Sequence, residues 1–251
     1  MSSFNDRSMR FLAYTLLLTT LLGSGWAAWF FFGAPAQDED PALTALKRRV
    51  AQLEQAVDAG DLNAQVDLGW VLIRKDSRLA DPERAVDLFR DAAGKGVVRA
   101  QYAMGWAHAT GRGAPVDYAQ AAEWYRVAAT AGADPDAQFA LGELYFHGRG
   151  VANDYGRAID LYRAAARHGH PVAQYLMGIM YKEGWGVKRD LVEAYKWLIL
   201  AAPQAARIKD HNPQFDPRGE RERLMVKLNR TQLNQADRMA RDMVQGKANG
   251  R

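Results

Sequence analysis

One feature constrains the fold more than any other: the middle of the chain repeats itself about every 36 residues. Ala-Gln recurs at Ala64-Gln65, Ala100-Gln101, Ala137-Gln138 and Ala173-Gln174, in steps of 36, 37 and 36. A glycine follows each pair at the same offset, at Gly69, Gly105, Gly142 and Gly178. Paired alanines (Ala92-Ala93, Ala128-Ala129, Ala165-Ala166, Ala201-Ala202) and single aspartates (Asp81, Asp117, Asp154, Asp190) keep the same step. Within a unit, small and apolar residues fall at helical spacing twice, first as Ala137, Leu141, Leu144 and Tyr145, then as Ala158, Leu161, Tyr162 and Ala165. Each unit therefore predicts a helical hairpin, with the first helix running from Ala-Gln. One hairpin cannot bury its apolar face alone, but stacked hairpins can, so the pattern predicts an all-α array.

Between the two helices lies a glycine-rich loop: "GRG" at Gly111–Gly113 and Gly148–Gly150, and "GWG" at Gly184–Gly186. A phosphate-cradling loop occurs once, follows a strand and leads into Lys-Ser/Thr. A Gly-x-Gly that recurs at helix ends is better explained as a helix stop and turn needing positive φ. The aspartates then serve as N-caps of the second helices, each four residues before an alanine. Pro82 suits a first turn, and Gln120 and Glu193 stand where capping boxes would place them.

With these marks in place, the chain resembles the Sel1-like repeat family. "AQFALGELYFHGRGVANDYGRAIDLYRAAARHG" and "AQYLMGIMYKEGWGVKRDLVEAYKWLILAA" match its motif closely. "AQYAMGWAHATGRGAPVDYAQAAEWYRVAATAG" departs at Ala114, where Val is typical. "AQVDLGWVLIRKDSRLADPERAVDLFRDAAGKG" lacks the middle glycines, so its turn should differ. The resemblance covers residues 64–202. It implies a right-handed α-solenoid related to tetratricopeptide repeats, acting as an adaptor for other proteins without catalysis or cofactor. Some exported relatives carry a disulfide in each repeat. This chain has no cysteine.

The expected units are a degenerate repeat at 64–99 and repeats at 100–136, 137–172 and 173–203. Residues 41–60 hold Leu43, Leu46, Val50, Leu53 and Val57 in heptad spacing. That segment reads as an N-terminal capping helix, since Gly60 lies 36 residues before Gly96; the alternative is a dimerising coiled coil through 43–57. After the repeats, 204–219 is polar and proline-punctuated and reads as a loop. Residues 220–246 read as C-terminal capping helices, with Asn229 and Gln232 as a capping pair and an apolar stripe of Leu233, Ala236, Ala240 and Met243.

The N-terminus carries a different signal. Phe11 to Gly33 contains no charged residue, and ten of its 23 residues are Leu or Phe. At 1.5 Å per residue it spans about 33 Å, enough for a hydrocarbon core of about 30 Å. Its Leu and Phe favour insertion by ~3–6 kcal/mol. Arg7 and Arg10 precede it and "DED" follows, which predicts a cytoplasmic segment 1–10, a transmembrane helix 11–33, a linker 34–40 and an exported domain. In a bacterium that is a single-pass inner-membrane protein with a periplasmic domain. "APA", Ala34 to Ala36, leaves open a cleaved signal peptide and a soluble periplasmic form.

Little in the sequence suggests chemistry. Among the five histidines (His108, His147, His168, His170, His211) none reads as a metal ligand: His168 and His170 have no carboxylate or histidine at i+3 or i+4 and sit where a cation would favour a helix C-terminus. The tail 205–251 has eleven basic and six acidic residues, too mild a bias for nucleic acid. A wall-polymer hydrolase would need two facing carboxylates, which sequence cannot place across repeats. The better candidate is a protein- or peptide-binding groove lined by the first helices: Val66, Tyr102, Phe139 and Tyr175, and one turn on, Trp70, Trp106, Glu143 and Ile179. The first set doubles as core in such motifs, whereas Trp70 and Trp106 are not demanded by the motif.

Overall fold

The structure is a computed structural model describing residues 40–248. Twelve α-helices lie among them, with no strand. The first, α1, runs Pro41–Asp58. Four hairpins follow: α2 (Leu62–Leu72) with α3 (Pro82–Gly94), α4 (Val98–Thr110) with α5 (Tyr118–Ala131), α6 (Pro135–His147) with α7 (Tyr155–His168), and α8 (Pro171–Glu183) with α9 (Leu191–Ala201). After a 3-10 turn, Ala202–Gln204, come α10 (Ala205–His211), α11 (Pro217–Met225) and α12 (Arg230–Ala248). From α2 to α9 each helix packs on the next in sequence. The chain divides into two compact units, Met1–Gln52 and Leu53–Arg251, and the hairpins belong to the second. None of the residues of α1 is fully buried.

Each hairpin closes at its repeat glycine. A Cβ on Gly69 would lie 2.3 Å from the ring of Phe89, one on Gly105 2.5 Å from Tyr125, one on Gly142 2.8 Å from Tyr162 and one on Gly178 2.8 Å from Leu198. All four partners stand twenty residues beyond their glycine (69 to 89, 105 to 125, 142 to 162, 178 to 198). The missing side chain lets a large one from the second helix cross the first at contact distance. The alanines of the second helices, such as Ala92, Ala128 and Ala165, are fully buried beside it.

The glycine-rich loops are joints between units. Gly111, Gly148 and Gly184 end α4, α6 and α8 in the left-handed conformation. The second glycine of each loop abuts the preceding unit: a Cβ on Gly113 would lie 2.1 Å from the carbonyl oxygen of Pro82, and one on Gly150 2.2 Å from the backbone of Tyr118. Each loop is also tied by a backbone bond of equal span, from the amides of Asp81, Asp117, Asp154 and Asp190 to the carbonyls of Leu72, His108, Tyr145 and Tyr181. The first unit keeps this bond although its turn differs, with α2 ending on right-handed Ile73.

Asp81, Asp117, Asp154 and Asp190 cap the second helices, each accepting from a backbone amide two or three residues on. Glu193 pairs with Lys196. The reciprocal box forms at α12, where Asn229 and Gln232 exchange side-chain to backbone bonds of 3.0 Å. The first helices begin two residues before Ala-Gln, not at it. Asp61, Asp134 and His170 cap α2, α6 and α8, and Pro135 and Pro171 occupy first-turn positions.

The single 37-residue step has a local cause. The amides of Asp61, Val97 and His170 reach back five residues, to Ala56, Ala92 and Ala165, whereas that of Asp134 reaches back six, to Ala128. The extra residue is absorbed at the end of α5. It leaves Ala133 with φ 47° where the matching positions hold Gly60, Gly96 and Gly169.

Beyond the repeats the structure corrects one expectation. The segment 204–219 is not a plain loop: it contains α10 and the start of α11. Ile208 anchors α10 by complete burial, and α10 lies against α8. Helices α11 and α12 cover α9 through Leu224 and Ala236. No helix among the described residues is long and apolar enough to cross a membrane, and the candidate span 11–33 lies outside those residues.

Candidate functional site

The first helices α2, α4, α6 and α8 carry a row of side chains in register, and its two ends differ. Val66 is completely buried, so it packs rather than meets a ligand. Trp70, Tyr102 and Trp106 are half-buried and touch one another: the ring of Trp70 lies 5.3 Å from Trp106 and 6.3 Å from Tyr102. The Arg112 guanidinium sits 5.7 Å above Trp106. Tyr102 also stacks toward Tyr125 at 5.7 Å, and burial raises both phenols well above their ordinary range.

Phe139 and Tyr175, the next residues in the row, are buried because the chain folds back over them. His211, the last residue of α10, meets Phe139 at 5.6 Å, and Phe215 lies 4.7 Å from Tyr175. His170 stacks on Phe139 at 4.3 Å. Its Nδ1 accepts from the Ala173 amide, and its Nε2 lies 3.5 Å from Asp136. Burial, reinforced by Arg207 and His211, pushes the His170 imidazole down to about 4. It is therefore a neutral N-cap, not the cation at a helix C-terminus that the sequence suggests. Burial and neighbouring Asp134 push the Asp136 carboxyl up.

Beside this covered stretch is an open cavity of about 550 Å³. Ile159 and Tyr162 of α7, Leu176 and Met180 of α8, and Phe215 form apolar walls. Phe146, Tyr155 and Trp185 stand at it with large exposed surfaces, Trp185 being 62% exposed. Glu143 is the one carboxylate on its wall. The Tyr162 hydroxyl donates to Glu143 Oε1, and His147 Nε2 stands 3.7 Å from Oε2. Burial, then the Glu143 bond and charge, raise the Tyr162 phenol far above its usual range, so it stays a donor. Ile179, the last residue of the expected set, is half-buried against the cluster around Tyr195 and Leu198.

Among the described residues no group of three His, Asp or Glu could hold a metal ion. Sequence reasoning missed His211 and Phe215. The available signal was one aromatic, Phe215, in an otherwise polar stretch between two prolines.

The Sel1 repeat model matches residues 62–97, 98–132, 135–170 and 171–204, more than half the chain. The chain belongs to the Sel1 repeat family. Among solved structures, it is similar to a protective antigen of uropathogenic Escherichia coli with an SLR fold. That match has 40% identity and a TM-score of 0.56, over 62% of this chain and 33% of the antigen. A Sel1 repeat protein from Oxalobacter formigenes matches at 29% identity and a TM-score of 0.58, over 76% of this chain and 58% of that one. This chain thus spans about a third of the antigen and somewhat over half of the Oxalobacter formigenes protein. No curated protein matches it.

Proposed function

We propose that this Sel1 repeat protein is an adaptor of the bacterial cell envelope, held to the inner membrane by residues 11–33 and receiving a segment of another protein on the face of its first helices. Sel1 repeat proteins generally mediate protein–protein interaction and are typically non-enzymatic scaffolds. The observation that carries the reading is the row itself: Trp70, Tyr102 and Trp106 form a half-open aromatic strip. Partly exposed Trp and Tyr give large contact area for little ordering entropy. The same row at Phe139 and Tyr175 already holds a polypeptide, the chain's own stretch from His211 to Phe215. The anchor rests on the uncharged stretch and on Arg7 and Arg10 before it.

The test is site-specific photocrosslinking in cells with the full chain. A reactive group at Trp106 or Tyr155 should trap a discrete partner, and one at Arg90, exposed on α3, should not. Equal yields from all three positions, or none from Trp106 and Tyr155, would overturn the adaptor. Reporter fusions and N-terminal sequencing of the mature chain test the anchor. A mature chain beginning at Gln37 would replace the anchored form by a soluble periplasmic one.

A further inference from the structure

We propose that the cavity between α6, α7 and α8 is the specificity pocket of this adaptor, and that it takes an apolar side chain together with a neighbouring lysine or arginine of the bound polypeptide. This rests on the adaptor reading and adds the chemistry of the partner. The volume, about 550 Å³, suits one or two side chains, and its lining is mostly aliphatic and aromatic, with His147, His211 and Asn212 as the uncharged polar exceptions. Such a lining alone would accept any apolar residue. Glu143 makes it selective.

Its carboxylate stands on the wall of an apolar cavity, with the side chain only 35% exposed. Among the described residues no lysine or arginine pairs with it, although the chain carries a net positive charge. Only His147 stands near, at 3.7 Å. Two other half-buried carboxylates show the usual arrangement: Glu220 has Lys182 and Arg223, and Glu193 has Lys196. The Tyr162 hydroxyl fixes Oε1, which leaves Oε2, with only the His147 ring nearby at 3.7 Å, to meet a cation from outside. The exposed rings of Phe146, Tyr155 and Trp185 offer π faces at the same mouth. A carboxylate on an apolar wall, sharing its cavity with exposed aromatics and lacking a lysine or arginine partner, is complementary to a cation that arrives on an apolar carrier. An acidic or purely aliphatic segment would leave it unpaired.

The probes are three fluorescein-labelled hexapeptides in a Gly/Ser frame, containing Phe-Arg, Phe-Gln or Ala-Arg, titrated onto the full chain and followed by anisotropy. Phe-Arg should bind about tenfold tighter than either of the others. Glu143→Gln, which keeps an acceptor for Tyr162, should bring Phe-Arg down to the level of Phe-Gln and leave Phe-Gln unchanged. Met180→Trp, filling the cavity, should weaken Phe-Arg and Phe-Gln alike, with helicity checked by circular dichroism. The proposal falls if Phe-Gln matches Phe-Arg, if Glu143→Gln preserves the Arg preference, or if none of the three binds. Should crosslinks from Trp106 and Tyr155 trap a partner while the peptides show no preference, the pocket chemistry fails and the adaptor stands. Should those crosslinks also fail, both fall.

Discussion

Units 1–2 and units 3–4 are built from the same motif, yet their first-helix rows end in different surroundings. At Trp70, Tyr102 and Trp106 the aromatics lean on one another and stay half-open. At Phe139 and Tyr175 they are buried under His211 and Phe215. The difference does not come from the repeats, whose register is unchanged. It comes from a tail that packs through Ile208 and Leu224 and brings two aromatic side chains back onto the row. In a stacked array every internal unit has two neighbours, and only the ends meet something new. Here the C-terminal end uses its additional contacts to close part of the row and to build a pocket beside it.

The largest expected effect tests whether the two halves are equally tight. Gly105→Ala forces a Cβ to 2.5 Å from the flat ring of Tyr125, while Gly178→Ala brings one to 2.8 Å from Leu198 Cγ, on a smaller side chain that can change rotamer. The first should cost about 3 kcal/mol and the second about 1–2 kcal/mol. Hydrogen exchange should place the loss in α4–α5 and α8–α9 respectively. Equal losses would mean that the crossings do not differ in rigidity.

Acid should act on the covered half. The His170 imidazole lies at about 4 in the folded chain against an ordinary 6.5, so folding favours its neutral form. That stability is complete above pH 6.5 and is lost as pH falls through 6.5 toward 4. Between pH 7 and pH 5 the loss is about 2 kcal/mol. His170→Asn keeps a capping side chain without the titration, and should flatten the pH dependence of exchange in α8 while α4 is unaffected. The same slope in both proteins would remove His170 as the cause.

A third test lies at the seam between the halves. Ala133 holds a left-handed φ of 47° at a position where the other units have glycine. Ala133→Gly should stabilise the chain by about 1 kcal/mol, seen as a raised Tm. A lowered Tm would show that the methyl group packs usefully. The smallest effect belongs to the open half. Arg112→Gln removes the guanidinium above Trp106 at a cost of about 0.5 kcal/mol, while the Trp106 surface becomes more accessible to quenchers. A loss of several kcal/mol would mean that this half is as closed as the other.

The hairpins were legible in the sequence because their causes are local and recur. The glycine crossings, the aspartate caps and the Gly-x-Gly turns each need a particular residue at a particular place, four times or three times over, and chance does not repeat such demands. The candidate site was only partly legible. Register brings Glu143 to the wall of a cavity, whereas Val66, at an equivalent step of the row, is buried in the first hairpin. His170 looked like the end of one helix and is the cap of the next, because an imidazole with an unprotonated Nδ1 can accept from the Ala173 amide. The stretch from Ala205 to Phe215 carries none of the marks of the repeat. Its role depends on where Ile208 finds a hydrophobic cleft, and that cleft exists only once α8 and α9 have packed. Periodic sequence therefore determined the stack, since each unit contacts only its neighbours. Tertiary structure alone decided which part of the row stays open, because that depends on residues more than thirty positions away meeting across a surface no single repeat possesses.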